Sequence, residues 1–119
     1  MSEGQALKEL TEELAAFARE RDWDQFHAPK NLAMALSVEA AELVEIYQWM
    51  TLEQSADPDG PTRERIDEEL ADIFLYLLRL ADKAGIDLLQ AAYRKIAANR
   101  LKYPADKVRG RSDKYTAYE

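Results

Sequence analysis

Apolar residues recur at three- and four-residue steps along four stretches of the chain, and turn-forming residues separate the stretches. That period is the mark of amphipathic helices packed on a shared core. The first stretch covers residues 5–21. Leu7, Leu10, Leu14, Phe17 and Ala18 share one side, while Lys8, Glu9, Glu12, Glu13 and Arg19 cover the other. Its polar side is mainly acidic and repels anionic lipid, so a core helix is expected rather than a membrane-surface one. The segment RDWDQFHAPKN follows, with Trp23, Phe26 and His27 ahead of Pro29. Proline disfavours helix in the residue before it, so this segment is expected to be a loop. Residues 30–50 contain no Gly or Pro and form the second predicted helix. TLEQSADPDGPT, residues 51–62, is a turn segment, with Thr62 the expected N-cap of a third helix over 63–84 and Gly85 its terminator. A fourth helix is expected over 87–101, capped by Asp87, with Leu88, Leu89, Ala92, Ile96 and Leu101 on its apolar side. The expected fold is all-α: a four-helix bundle with a C-terminal tail, forming one domain over residues 1–119.

Acids interrupt this pattern at particular places. At about 100° per residue, Leu32, Leu36 and Leu43 fall on one stripe of the second helix, and Glu39 falls among them. Glu42 lies beside Ala35, Ile46 and Trp49, while Glu45 sits nearer the edge. On the third helix Ile66, Leu70, Ile73 and Leu77 form the stripe, Glu69 is on its shoulder, and Asp72 and Tyr76 follow a turn apart. A carboxylate on an apolar face is costly unless something positive meets it. Two E-x-x-acid pairs on successive helices therefore point to a bound cation, with a surface or partner-pairing role as the alternative.

Composition narrows what that cation serves. Acids outnumber bases 23 to 16, giving a net charge of −7, so a face for duplex nucleic acid is not expected. Without cysteine there is no disulfide, zinc-thiolate site or thiol catalysis. No apolar run approaches the roughly 18 residues of a membrane span and the N-terminus lacks a secretion signal, so a cytoplasmic protein is expected. His27 is the single histidine and lies outside both acid helices, which rules out the Glu-x-x-His pairs of di-iron bundles. An oxygen-only donor set suits magnesium, manganese or calcium. No P-loop motif is present. Hydrolysis by a metal-oriented water with a carboxylate as base is the chemistry consistent with these residues, and Glu45 is a candidate for orienting that water.

Two further segments carry chemistry. The aromatic loop around Trp23 and His27 either plugs the bundle end or forms a wall that stacks a flat ring. The C-terminal NRLKYPADKVRGRSDKYTAYE gathers Arg100, Lys102, Lys107, Arg109, Arg111 and Lys114 around Tyr103 and Tyr115. It is either a solvated tail or an anion-binding segment.

E-x-x-E followed by E-x-x-D on consecutive helices resembles the signature of the MazG-like all-α nucleoside triphosphate pyrophosphohydrolase superfamily. RDWDQFHAPKNLAMALSVEAAELVEIYQW, EELADIFLYLLRLA, IAANRLKYP and SDKYTAY are similar to its dCTP pyrophosphatase-like members, a likeness running from about Leu10 to Tyr118. The resemblance implies hydrolysis of a deoxynucleoside triphosphate, dCTP or a modified dCTP, to the monophosphate and pyrophosphate, in sanitation of the nucleotide pool. It implies magnesium held by Glu39, Glu42, Glu69 and Asp72, and a base and sugar bordered by Trp23, His27, Trp49 and Tyr76. It implies phosphate contacts from Asn99, Lys102, Lys114 and Tyr115, and a homotetramer, a dimer of dimers, with sites formed between subunits. Vertebrate members of this branch carry a histidine where this chain has Leu14, which leaves the base preference open. The competing expectations are a pyrophosphatase for dUTP or another non-standard triphosphate, and a non-catalytic helical interaction module.

Overall fold

A computed structural model describes residues 2–112. Among them every regular element is helical: six α-helices, one 3-10 turn and no strand. The chain divides into two compact units, one running to Ile86 and one beginning at Asp87.

In the first unit, α1 (Glu3–Glu20) opens with a capping box. The Ser2 hydroxyl accepts from the Gln5 N–H at 3.1 Å, and the Gln5 side chain accepts from the Ser2 N–H at 3.0 Å. The chain leaves α1 through Asp22, which takes a positive φ of 54°, and makes a 3-10 turn at Asp24–Phe26. Asp22 is stabilised in that conformation by Gln25, whose amide donates to the Asp22 carboxylate and carbonyl at 3.1 and 2.9 Å. The second long helix, α2 (Pro29–Tyr47), starts on a proline, preceded by an extended Ala28.

The connection after α2 departs from the expected plain turn. α2 ends at Tyr47, and a short helix, α3 (Leu52–Ala56), occupies part of residues 51–62. Thr51 and Gln54 cap it reciprocally, at 2.9 and 3.1 Å. The next helix, α4 (Gly60–Ala84), begins three residues earlier than expected. Its N-cap is Asp59, not Thr62. The Asp59 carboxylate accepts from the Thr62 N–H at 2.8 Å, and this holds the Asp59 carboxyl below its ordinary value. Gly85 closes α4 as expected, at a φ of 69°, which a side chain would strain.

α2 lies against α4, and α1 packs on α4 as well. Ala18, Leu32, Ile46, Ile66, Leu78 and Ala81 form the buried core of this unit, with Leu32 only 2% exposed. Several expected core positions are not buried within one chain. Phe17, Leu70 and Ile96 are about half-exposed, and so are Met34, Val38 and Val44 on α2. The apolar stripes are thus wider than the interior they enclose.

In the second unit, α5 (Leu88–Lys102) is capped by Asp87, which accepts from the Gln90 N–H at 3.1 Å. Pro104 leads into a four-residue helix, α6 (Ala105–Val108). No residue of α5 is fully buried, and Leu101 is 84% exposed. Among the described residues no helix is long and apolar enough to cross a membrane.

Candidate functional site

α2 and α4 bring their misplaced acids together. Glu39 from α2 and Glu69 and Asp72 from α4 each offer a carboxylate oxygen, and these three oxygens lie within 4.8 Å of one another. Glu69 and Asp72 share an α4 face because they are one turn apart. One oxygen of Glu39 and one of Glu69, both Oε2, are buried and have no hydrogen-bond partner. Buried carboxylate oxygens ordinarily find a donor or a metal. Burial raises the Glu39 carboxyl to about 7, assisted by the neighbouring carboxyls of Glu69 and Glu42 and by the charges of Glu42 and Asp72. Glu42 thus flanks Glu39 but lies outside the tight triad.

This donor set passes the test for a divalent cation. The ligands are hard oxygens on two rigid helices, two buried oxygens are orphaned, and the triad has no internal donor to satisfy them. Magnesium and manganese both suit such a set. Glu45 is exposed and outside the triad.

Beyond Asp72 the α4 face continues into a cavity of about 190 Å3. Asp72, Leu75, Tyr76 and Arg79 line it from α4. Leu14 and Phe17 contribute from α1, Leu32 from α2, and Trp23 and His27 from the loop between those helices. Its rim is ordered by aromatic contacts. Phe17 and Trp23 meet edge-on with centroids 5.8 Å apart, and the Arg21 guanidinium lies 3.6 Å from the Phe17 centroid. At about 1.5 Å per residue, Asp72 and Arg79 are separated by roughly 10 Å along the helix. The site therefore has an anionic end and an aromatic end, joined through Asp72.

Of the residues singled out from the sequence, the fold groups Glu39, Glu69 and Asp72, and sets Trp23, His27 and Tyr76 around the adjoining cavity. Trp49 does not join them. It is 87% exposed and does not line the cavity, because α2 stops at Tyr47 and the helical register that put Trp49 beside Glu42 is broken. Asn99 and Lys102 lie on α5 in the second unit, and Lys114 and Tyr115 fall outside the described residues.

Arg79 is the functional residue that periodicity alone overlooks. It is 5% exposed and lines the cavity. Its Nε donates to His27 Nδ1 at 3.1 Å, its Nη1 to Asp82 at 3.2 Å, and its Nη2 to Asp24. Lys83 also donates to Asp24, at 3.0 Å. Lys83, and with it Arg79, holds the Asp24 carboxyl low, against some opposition from burial. Burial, and then the Arg79 charge, lowers His27. The sequence signal was a lone arginine in the apolar run FLYLLRLA, seven residues after Asp72.

A carboxylate triad spanning two helices of an all-α chain, with the donor set of a metal site and open to an aromatic cavity, defines the class of helical protein to which the chain is compared. Residues 34–117 match the MazG-like family, and the chain belongs to that family. It is 42% identical over 112 residues to dCTP pyrophosphatase 1 of Mus musculus and 44% identical over 112 residues to that of Bos taurus. Each alignment covers 92% of this chain and 66% of the relative, so the chain spans 66% of the length of these curated relatives. A crystal structure of a pyrophosphatase from Archaeoglobus fulgidus is similar in fold, with a TM-score of 0.74 and 39% identity, covering 83% of this chain and 93% of that one.

Proposed function

We propose that the protein hydrolyses a deoxynucleoside triphosphate, dCTP or a modified dCTP, to the monophosphate and pyrophosphate. The observation that carries this reading is the continuity of the acid triad with the aromatic cavity through Asp72. A nucleoside triphosphate has that same polarity, and the family and the named pyrophosphatase relatives support the assignment.

Glu39, Glu69 and Asp72, with Glu42 beside them, would hold magnesium, or manganese in its place. The ion, when bound, supplies positive charge that offsets the triphosphate and polarises its phosphoryl oxygens. The residues do the rest. The acids are fixed on α2 and α4, so they do not have to reorganise as charge develops. Trp23, Tyr76 and His27 line the cavity that would take the base and give it aromatic surface to stack on. Glu45 would orient the attacking water, either directly or by supporting the acids around it, a role for which Glu45→Gln is the test. The phosphate contacts of Asn99, Lys102, Lys114 and Tyr115 remain part of the proposal as carried from the resemblance.

A homotetramer, as a dimer of dimers, fits the exposed apolar side chains Met34, Val38, Val44, Leu70 and Phe74. In such an assembly Trp49 is available to a neighbouring protomer's site. A triphosphate substrate and a cysteine-free sequence fit a cytoplasmic setting. Leu14 favours a second reading, in which dUTP or another non-standard triphosphate is the substrate. Leu14 lines the cavity with a hydrocarbon surface that offers a base edge neither donor nor acceptor.

The test is a panel of dNTPs scored for pyrophosphate with magnesium and with chelator. Release that requires magnesium supports the proposal, and the preferred base decides between the two readings. Silence across the panel overturns both.

A further inference from the structure

His27 meets the cavity with one ring nitrogen already committed. The Arg79 guanidinium carries N–H donors but no acceptor. Its Nε stands 3.1 Å from His27 Nδ1, a contact that is a hydrogen bond only if Nδ1 offers its lone pair. A neutral imidazole has a single N–H, which must then be on Nε2. The guanidinium is not free to turn away. It is buried, and its other two nitrogens are held by the carboxylates of Asp82 and Asp24, with Lys83 also on Asp24. Among the described residues the His27 ring is bonded to Arg79 through Nδ1, and His27 lines the cavity.

We propose that Arg79 is a positioning residue that fixes His27 as an Nε2–H donor, so that the cavity selects a ring turning a carbonyl oxygen or an unprotonated ring nitrogen toward His27. The Asp24–Arg79–His27 chain links the loop to α4, so the same bonds that hold the loop in place set its hydrogen-bonding sense. A base that turns an N–H or an amino group to this wall meets a second donor and is rejected, because two donors leave each other unpaired. The aromatic surfaces stack any base, whereas this one polar edge discriminates. The tautomer is a property of the protein alone. The ligand class rests on the proposed nucleotide chemistry.

The test uses the whole 15N-labelled protein and long-range 1H–15N correlation at the histidine ring. His27 is the single histidine, so its two nitrogens are unambiguous. The expected spectrum at neutral pH shows a lone-pair-bearing Nδ1 and a protonated Nε2, and adding dCMP shifts the Nε2 signal with Nδ1 nearly unmoved. A protonated Nδ1, or two averaged nitrogens, overturns the proposal. In Arg79→Met the tautomers should mix and the KM for dCTP should rise about 10-fold with kcat changed less than about 3-fold, the pattern of one lost ground-state hydrogen bond. An Arg79→Met protein that keeps the wild-type spectrum and KM overturns it too. If that variant does not fold, His27→Gln and His27→Leu decide. Gln restores a donor near the Nε2 position and should stay within about 3-fold of wild-type KM, while Leu should lose about 10-fold. Gln as poor as Leu is the contradicting result. A wild-type protein inert toward every dNTP would sink the proposed function, while the spectrum would still decide the tautomer.

Discussion

Replacing Glu39 by Gln should stabilise the metal-free protein at alkaline pH and make it insensitive to divalent cations. Burial, together with the neighbouring carboxyls of Glu69 and Glu42, raises the Glu39 carboxyl from 4.5 to about 7. The folded state therefore keeps a proton that the unfolded chain has already released across that interval. Stability falls as pH rises through the window, and the full penalty persists above it. At about 1.36 kcal/mol per pH unit, the rise sets a ceiling of about 3 kcal/mol. Glu39 is only partly buried, so water screens part of this, and roughly 1–2 kcal/mol is the expected penalty. Gln has the same shape without the charge, and its amide can donate to Glu69. For a chain of 119 residues the variant should melt roughly 4–8 °C above wild type in chelator at about pH 8.5. The gap should close below about pH 4.5, where the carboxyl is protonated in the folded and the unfolded wild-type chain alike. Millimolar magnesium or manganese should raise the wild-type melting temperature and leave Glu39→Gln nearly unmoved, since binding stabilises only a protein that can bind. Thermal melts of both proteins, with chelator and with each cation, read every part of this. A Glu39→Gln variant less stable than wild type in chelator at high pH, or one with an equal cation-induced shift, would refute the reasoning.

Two other substitutions separate stability from recognition. Leu32→Ala removes the largest fully buried side chain of the core and should cost about 2–5 kcal/mol, read as a lower urea midpoint at unchanged slope. Trp23→Ala should raise KM for the preferred dNTP about 10-fold and change kcat less, because stacking on a base is present before and during the reaction. A fall confined to kcat would show that Trp23 is not a base-binding wall.

The long helices and the acid triad were legible because both follow from one period. Glu39 sits among Leu32, Leu36 and Leu43, and a helix of about 3.6 residues per turn leaves no other direction for it to point. Glu69 and Asp72 obey the same constraint on α4. Where the period stops, the extrapolation failed. Trp49 was aligned with Glu42 as though α2 continued, but α2 ends at Tyr47 and the Thr51–Gln54 capping box restarts the chain as α3. The pattern T-x-x-Q marked that box. The start of α4 was misjudged by three residues because Asp59 caps ahead of Gly60 and Pro61, residues that usually signal a turn. Arg79 was missed for a different reason. A period shows that an arginine lies within an apolar run, but not that Asp24, 55 residues earlier, returns to meet it. The apolar stripes themselves overstated the interior, since Leu70 and Phe74 are exposed in the chain.

The most direct test of the central claim is 31P NMR of dCTP with magnesium, comparing wild type with Asp72→Asn. Asp72 belongs to the acid triad and also lines the cavity. The account predicts dCMP and pyrophosphate as the wild-type products, and turnover reduced at least about 100-fold by Asp72→Asn, the scale of a lost electrostatic contact in the transition state. Formation of dCDP and phosphate by wild type, or full turnover by Asp72→Asn, would contradict it.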